Sequence, residues 1–462
     1  LTLKRHRRPL IKAAADMLET AHSPLISLRS GSLRGAVCVP GDKSISHRAL
    51  MLGALASGRT RISGLLEGED VLNTGRVLAA MGCPVRRAGE GWEVLGRGVG
   101  GLAQPEGPLD FGNSGTGVRL MLGLIAGNDI LVRLVGDASL SRRPMGRVLD
   151  PLVRMGIEVE DGARNLPLSL RGTSDLLPIE YQLPVASAQI KSAILLAGLH
   201  ATGATSVIEP EATRDHTERM VAYFGGEVTI GQRDGKRLIT VKGNAELEGR
   251  NVEVPGDPSS AAFLAAAALM VPGSEITIKG VLVNPTRTGF YTTLEEMGAD
   301  LVFQNEREQG GEPVADISVR HGKLKGVRVP PERAPSMIDE YPILACLAAH
   351  ATGETHMAGL AELKVKESDR LAATVAGLKA NGVRARADAE ALYVEGGGVP
   401  GGGTVETHLD HRIAMAFLTL GLAADRPVTV DDAGMIATSF PEFRGLMQGL
   451  GARLAAPEDV RR

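Results

Sequence analysis

Apolar runs rich in small residues return along the chain, beginning near Ser46, Gly115, Ala186, Ser259, Ser336 and Asp410, roughly 70 to 80 residues apart. Each is apolar almost all round. In the third, Ile190, Ala193, Ile194, Leu195, Leu196 and Ala197 are interrupted only by Lys191 and Ser192. A helix without a polar face belongs inside a domain. A β-rich stretch follows each run: Thr60-Arg-Ile, Ile130-Leu-Val, Thr205-Ser-Val-Ile, Glu275-Ile-Thr-Ile, Glu354-Thr-His-Met and Pro427-Val-Thr-Val. A charged helix then closes at Gly82, Gly156, Gly225, Gly298, Gly382 or Gly451. Glycine past a helix end takes the left-handed conformation at little steric cost. The pattern predicts six helix–strand–helix–strand units, each with a further strand segment, their charged helices facing solvent against sheets.

One frame is written twice. Val37-Cys-Val-Pro-Gly-Asp-Lys-Ser44 and Val252-Glu-Val-Pro-Gly-Asp-Pro-Ser259 share Val-Pro-Gly-Asp, but Lys43 answers to Pro258 and Arg48 to Phe263. Cations that the scaffold required would recur in both copies, so Lys43 and Arg48 read as functional. Three units per domain puts the break at the second Val-Pro-Gly. Residues 1–29 read as an N-terminal extension.

Composition narrows the function. At 462 residues, with 43% hydrophobic and 23% charged positions, the chain can build two substantial globular cores. A net charge of −3 and only eight Phe, five Tyr and one Trp argue against nucleic acid as a partner. No apolar stretch reads as a membrane span. Cys38, Cys83 and Cys346 are too few and scattered for a disulfide framework or zinc site, and are expected to be buried and inert. The first residues, basic through Lys12, lack the apolar centre of a secretory signal, and Asp16 and Glu19 oppose a transit peptide. Cytoplasmic location is the expectation.

The local chemistry gathers where the apolar runs begin. Unpaired backbone N–H groups at a helix start carry partial positive charge and bind phosphate or carboxylate. The first unit adds Lys43, Ser44 and Arg48 there, the second Gly112-Asn-Ser-Gly-Thr-Gly117, the third Ser187, Ala188 and Gln189 with Lys191 beyond. Each group alone also reads as ordinary capping or a plain turn. Recurrence at one slot favours anion binding. Arg143, Arg214, Lys366, Arg370 and Arg412 add cations, several at entries to apolar helices where an unpaired charge is costly. Asp339 and Glu367 fit two readings, carboxylates complementing a helix dipole or acid/base groups.

In combination, Gly41-Asp-Lys-Ser-Ile-Ser-His-Arg48 and Leu363-Lys-Val-Lys-Glu-Ser-Asp-Arg370 resemble the 5-enolpyruvylshikimate-3-phosphate synthases. Gly112-Asn-Ser-Gly-Thr116, Arg143-Pro144 and Asp410-His-Arg412 add to the match, which covers about residues 30–455. Ser187-Ala-Gln-Ile-Lys191, Arg214-Asp-His-Thr-Glu218 and Asn284-Pro-Thr-Arg287 are similar to the bacterial class II branch. The resemblance implies an α/β (α+β) enolpyruvyl transferase fold, two domains of three βαβαββ units each, closing on ligands between them. In that fold the chain begins in one domain, crosses to complete the other and returns, which implies one domain at 42–254 and a second from 30–41 plus 255–462, with the paired Val-Pro-Gly segments as the crossings. It implies a transferase of the shikimate pathway of aromatic amino acid biosynthesis. That enzyme moves the enolpyruvyl group of phosphoenolpyruvate to the 5-hydroxyl of shikimate 3-phosphate by addition and elimination, with no metal or organic cofactor.

By motif, the resemblance assigns shikimate 3-phosphate to Lys43, Ser44, Arg48, Ser187, Ala188, Gln189, Arg214, Asp339 and Lys366. Phosphoenolpyruvate falls to Lys43, Gly115, Arg143, Gln189, Arg370 and Arg412. Asp339 is the expected base at the hydroxyl, with Glu367 and Lys43 as further catalytic groups. A monomer is expected, with glyphosate as an inhibitor at the phosphoenolpyruvate site. Two positions depart from the family pattern: Ser114 adds a hydroxyl beside that site, and Thr438 stands where many relatives have Lys. The competing readings are a UDP-N-acetylglucosamine enolpyruvyl transferase, opposed by the lack of a suitable loop cysteine, and a non-catalytic anion-binding relative.

Overall fold

Six first helices form where the apolar runs begin: Lys43–Leu55, Gly115–Ala126, Ala188–Gly198, Pro258–Met270, Tyr341–Ala348 and His411–Gly421. The structure, a computed structural model, describes residues 23–460. Five of these helices are started by a side chain that accepts a backbone N–H bond: Asp42 from Ile45, Ser114 from Gly117, Ser187 from Ile190, Asp257 from Ser259 and Asp410 from Arg412. Each satisfies a donor that the first turn leaves unpaired. Every residue of Pro258–Met270 is buried, as its continuous apolar pattern requires. Small residues let the helices touch. A Cβ on Gly123 would stand 2.3 Å from the Ala193 carbonyl of the neighbouring helix.

The described strands make six four-stranded sheets with a common plan. In the third unit, Glu180–Gln182 enters the first helix and pairs parallel with Ala204–Glu209, the strand that leaves it. Lys236–Lys242 then lies antiparallel between Ala204–Glu209 and Val228–Arg233. This is a βαβαββ unit. The six closing glycines all have positive φ, from +77° at Gly382 to +117° at Gly156, so a Cβ there would be strained.

Two units exchange their entering strands. Arg34–Cys38 leads into the Lys43 helix but pairs with Glu275–Leu282, the strand after the Pro258 helix. Asn251–Glu253 leads into the Pro258 helix but pairs with Ser57–Ser63, the strand after the Lys43 helix. The two crossings run side by side: the Asp42 N–H donates to Pro255 O at 2.7 Å and the Asp257 N–H to Pro40 O at 2.8 Å.

Two hydrophobic cores result. One takes residues from Ile45 to Val254 together with Leu282, and the other takes Leu25, Leu33, Val39 and residues from Ala261 to Leu454.

Three expectations need correction or limits. The extension assigned to 1–29 is shorter, because Leu25–Leu28 lies antiparallel between Val428–Val430 and Arg453–Ala455. It supplies the sixth unit's last strand, and Leu25 is buried there. The rest of the extension, 1–22, lies outside the described residues. Cys38 is exposed, at the end of its strand, while Cys83 and Cys346 are buried as expected. Among the described residues no helix is long and apolar enough to cross a membrane.

Candidate active site

A cavity of about 690 Å³ opens between the cores, and the starts of the first helices face into it. The first core contributes Lys43, Ser44, Gly115, Arg143, Ser187, Ala188, Gln189 and Arg214; the second contributes Asp339, Lys366, Glu367, Arg370 and Arg412. Residues spread over the chain thus line one cavity. Helix starts carry partial positive charge, so the cavity favours anions before any side chain is counted.

Asp339 is the carboxylate most surrounded by cations. Its Oδ2 accepts from Arg214 at 2.7 Å, and its Oδ1 lies 3.1 Å from Arg370 Nη1 and 3.6 Å from Lys366 Nζ. Its backbone carbonyl accepts from Arg412 at 3.3 Å. Burial alone raises a carboxyl, but Lys366, Arg412, Arg214 and Arg370 outweigh it and hold Asp339 well below the usual range. Glu367 follows the same balance: burial is overcome chiefly by Arg370 and Arg143, with Lys43 adding to them. It pairs with Arg370 and stands 3.8 Å from Arg143 across the cavity.

The cations are fixed by polar neighbours. Asp410, itself a helix cap, accepts from Arg370 Nε at 2.8 Å. Lys43 reaches Asp70 at 3.2 Å. Arg143 is held by Asn113, through its side-chain and backbone oxygens, and by Ser139. Gln189 donates to Thr116 at 3.0 Å.

Arg48 is the exception among the expected residues. It does not line the cavity, because its guanidinium turns inward to Thr217, Ser192 and the Ser44 carbonyl at 2.7, 2.7 and 2.9 Å. Lys191 also turns away, into a buried pair of carboxylates, Glu209 and Glu218. The Ser114 hydroxyl, expected beside the anion site, instead caps its own helix and is fully buried.

Three further cavity residues escaped the sequence reading. Arg119 donates to Gln189 Oε1 at 3.1 Å and to Pro144 O at 3.2 Å, and burial with Arg143 nearby lowers it to about 10. It lies one turn beyond Gly115 on the same helix, a spacing that could have found it. Arg287 and Asp257 also line the cavity, and nothing local in their sequence marks them as cavity residues.

Known proteins resemble this chain in sequence and in fold. The family model described as EPSP synthase (3-phosphoshikimate 1-carboxyvinyltransferase) matches residues 29–447. The 3-phosphoshikimate 1-carboxyvinyltransferase of Parvibaculum lavamentivorans is 60% identical over 438 residues, covering 93% of this chain and 96% of the relative. That of Brucella abortus is 59% identical over 438 residues, covering 94% and 97%. The solved EPSP synthase of Acinetobacter baumannii superposes with a TM-score of 0.84 at 42% identity, covering 94% of this chain and 99% of that one. The enolpyruvyl transferase NikO of Streptomyces tendae, at 20% identity and a TM-score of 0.71, shares the fold. The chain belongs to the EPSP synthase, or 3-phosphoshikimate 1-carboxyvinyltransferase, family.

Proposed function

We infer that the chain transfers the enolpyruvyl group of phosphoenolpyruvate to the 5-hydroxyl of shikimate 3-phosphate and releases phosphate. The observation that carries the reading is Asp339, one carboxylate facing Arg214, Arg370 and Lys366 in a cavity built from two cores. Two polyanionic substrates need the cations, and the hydroxyl needs the carboxylate. Ser44, Ser187, Ala188, Gln189, Arg214 and Lys366 suit shikimate 3-phosphate. Gly115, Arg143, Arg370 and Arg412 suit phosphoenolpyruvate, with Lys43 reaching both. Arg48 acts from behind, holding the Ser44 carbonyl and the hydroxyls of Ser192 and Thr217.

In the addition step the 5-oxygen bonds to C2 of phosphoenolpyruvate, its proton passes to Asp339, and the methylene carbon gains a proton to become methyl. Elimination removes a methyl proton, re-forms the double bond and expels phosphate. Glu367, 3.8 Å from Arg143, is placed to exchange protons at that carbon. Lys43 and the arginines stabilise the charged intermediate. Surrounded by cations that pair with it, Asp339 holds a proton poorly. Substrate phosphate and carboxylate draw those cations to themselves, so its proton affinity rises when both substrates are bound.

The finer assignments rest on the same geometry. The division at 41/42 and 254/255 follows the two crossings, and closure brings the halves onto the ligands. One chain supplies the entire wall described, which suits a monomer, and an enzyme of this pathway suits the cytoplasm. Glyphosate suits the phosphoenolpyruvate subsite beside Gly115. A UDP-N-acetylglucosamine acceptor gains no support, since none of the three cysteines lines the cavity. The test is phosphate release from phosphoenolpyruvate with shikimate 3-phosphate, with UDP-N-acetylglucosamine as control acceptor. Release with the control alone would overturn the reading.

A further inference from the structure

Asn284-Pro-Thr-Arg287 lies outside the catalytic assignments, yet it touches both crossings and both halves. Arg287 is almost fully buried. Its Nη1 donates to Asp42 Oδ2 at 2.7 Å, and its Nη2 donates to Asp257 Oδ1 at 3.2 Å and Ser259 Oγ at 3.0 Å. Asp42 and Asp257 are the caps of the two doubled helices, so one guanidinium joins both copies of the frame. The fork geometry of Arg permits this; a Lys ammonium cannot span the same partners in one plane.

The other end of the turn does the matching thing. The Asn284 amide donates to Asp215 Oδ1 and Glu312 Oε2, both at 2.7 Å. His216 Nδ1 lies 2.8 Å from Glu312 Oε1, and Arg219 donates to Asp215 Oδ2 at 2.9 Å. Asp215, His216 and Glu312 bring potential metal-ligating atoms within 4.8 Å of one another, but the amide and the guanidinium already engage the two carboxylates. The cluster reads as a polar seam between halves.

The two first-half carboxylates held by this turn stand next in sequence to first-half cations of the cavity. Asp42 precedes Lys43, and Asp215 follows Arg214. On the second-half side, Ser259 donates to Glu340, which lies 3.7 Å from Arg412 and next to Asp339. A continuous chain, buried from Asp42 onward, therefore runs from Lys43 through Asp42, Arg287, Ser259 and Glu340 to Arg412.

We propose that Arg287 is a positioning residue: with Asn284 it clamps the halves in the register that sets Lys43 and Arg214 against Asp339. The inference rests on the proposed transferase reading for its kinetic test and on geometry alone for its structural one. Misplacement of reacting groups by about an ångström can lower a rate about a hundredfold.

The experiment compares the full chain with Arg287→Lys, Arg287→Met and Arg287→Met/Asp257→Asn. Turnover, KM for shikimate 3-phosphate, melting temperature and ligand-free small-angle X-ray scattering are read for each. Arg287→Lys is expected to fold and to lose about tenfold or more in kcat, with KM within about threefold, because Ser44, Ser187, Ala188 and Gln189 sit on one half. Arg287→Met should scatter with a larger radius of gyration than the parent. Removing one of the two carboxylates left unpaired, in the double variant, should recover part of the melting temperature and leave kcat low.

Wild-type turnover in Arg287→Lys, or recovery of kcat together with melting temperature in the double variant, overturns the proposal. If Arg287→Met fails to fold, the Lys variant decides. If the parent itself releases no phosphate, the transferase reading fails and the scattering comparison decides the clamp: an unchanged radius of gyration refutes it.

Discussion

Arg214 and Asp339, 125 residues apart and held by different cores, meet at 2.7 Å across the cavity. Burial pushes the Asp339 carboxyl up, but Arg214 and three other cations pull it further down. Arg214→Gln removes one of them, so the Asp339 pKa rises toward its ordinary value. The base must be ionised to accept the proton, and the acid limb of kcat/KM therefore moves to higher pH. A pH–rate profile with an unmoved acid limb would count against Asp339 as the base. Asp339→Asn itself should lower turnover by about a hundredfold or more in a folded protein.

Lys43 is held by one ion pair, to Asp70, and the second copy of its frame folds with Pro258 in its place. Lys43→Met should therefore keep its melting temperature within a few degrees and lose turnover by about a hundredfold or more. Steady-state phosphate release and calorimetry check the pair of outcomes. Glu367→Gln should lose less, because water or neighbouring groups can relay the proton. A larger loss in Glu367→Gln than in Asp339→Asn would reverse their assigned ranks.

Gly115 opens the second first helix against Arg143 and Arg119. A Cβ there would stand 2.8 Å from Arg143 Nη1 and 3.2 Å from Arg119 Nη1, so the flexible arginine heads must shift. An inhibitor longer than phosphoenolpyruvate suffers more from that displacement than the substrate. Gly115→Ala should raise the glyphosate inhibition constant by about tenfold or more, with a smaller rise in KM for phosphoenolpyruvate. Equal inhibition constants for parent and variant defeat the argument.

His200 is buried far from the catalytic groups, and that burial lowers it from 6.5 to about 4. The native ring stays neutral while the unfolded one binds a proton as pH falls below 6.5. Stability is accordingly full above that value, falls by about 1.4 kcal/mol per pH unit below it, and levels out near the folded pKa. His47 and His411, each lowered to about 3 by burial first, add in the same direction. His200→Gln should flatten the decline of melting temperature between pH 6 and pH 4 by about one proton's share. Turnover at neutral pH should be unchanged.

The six units were legible because each rests on local signals: a small-residue apolar run, a β-rich stretch and a glycine that the helix end demands. Ser114 and Arg48 were harder, since a hydroxyl or a guanidinium can face a ligand or its own helix from the same position. Arg287 was illegible in function. Its partners Asp42 and Asp257 are 245 and 30 residues away, and only the side-by-side crossings bring them together. The exchange of entering strands was legible only through the family resemblance, which put 30–41 with 255–462; periodicity says that 34–38 is a strand and nothing about which sheet receives it.

That Leu25–Leu28 closes the sheet of Val428–Val430 and Arg453–Ala455 has a consequence for synthesis. The half centred on 42–254 can assemble once residue 254 has left the ribosome. The other half waits: strands 25–28 and 34–38 emerge first, yet the partner of 34–38 comes only at 275–282 and those of 25–28 at 428–430 and 453–455, and a folded half must form between them. Long-range pairing of this kind is slow and leaves unpaired edges exposed. Nascent chains stalled shortly before residue 455 should therefore hold a protease-resistant first half beside an open second one, and release of the last strand completes the cavity.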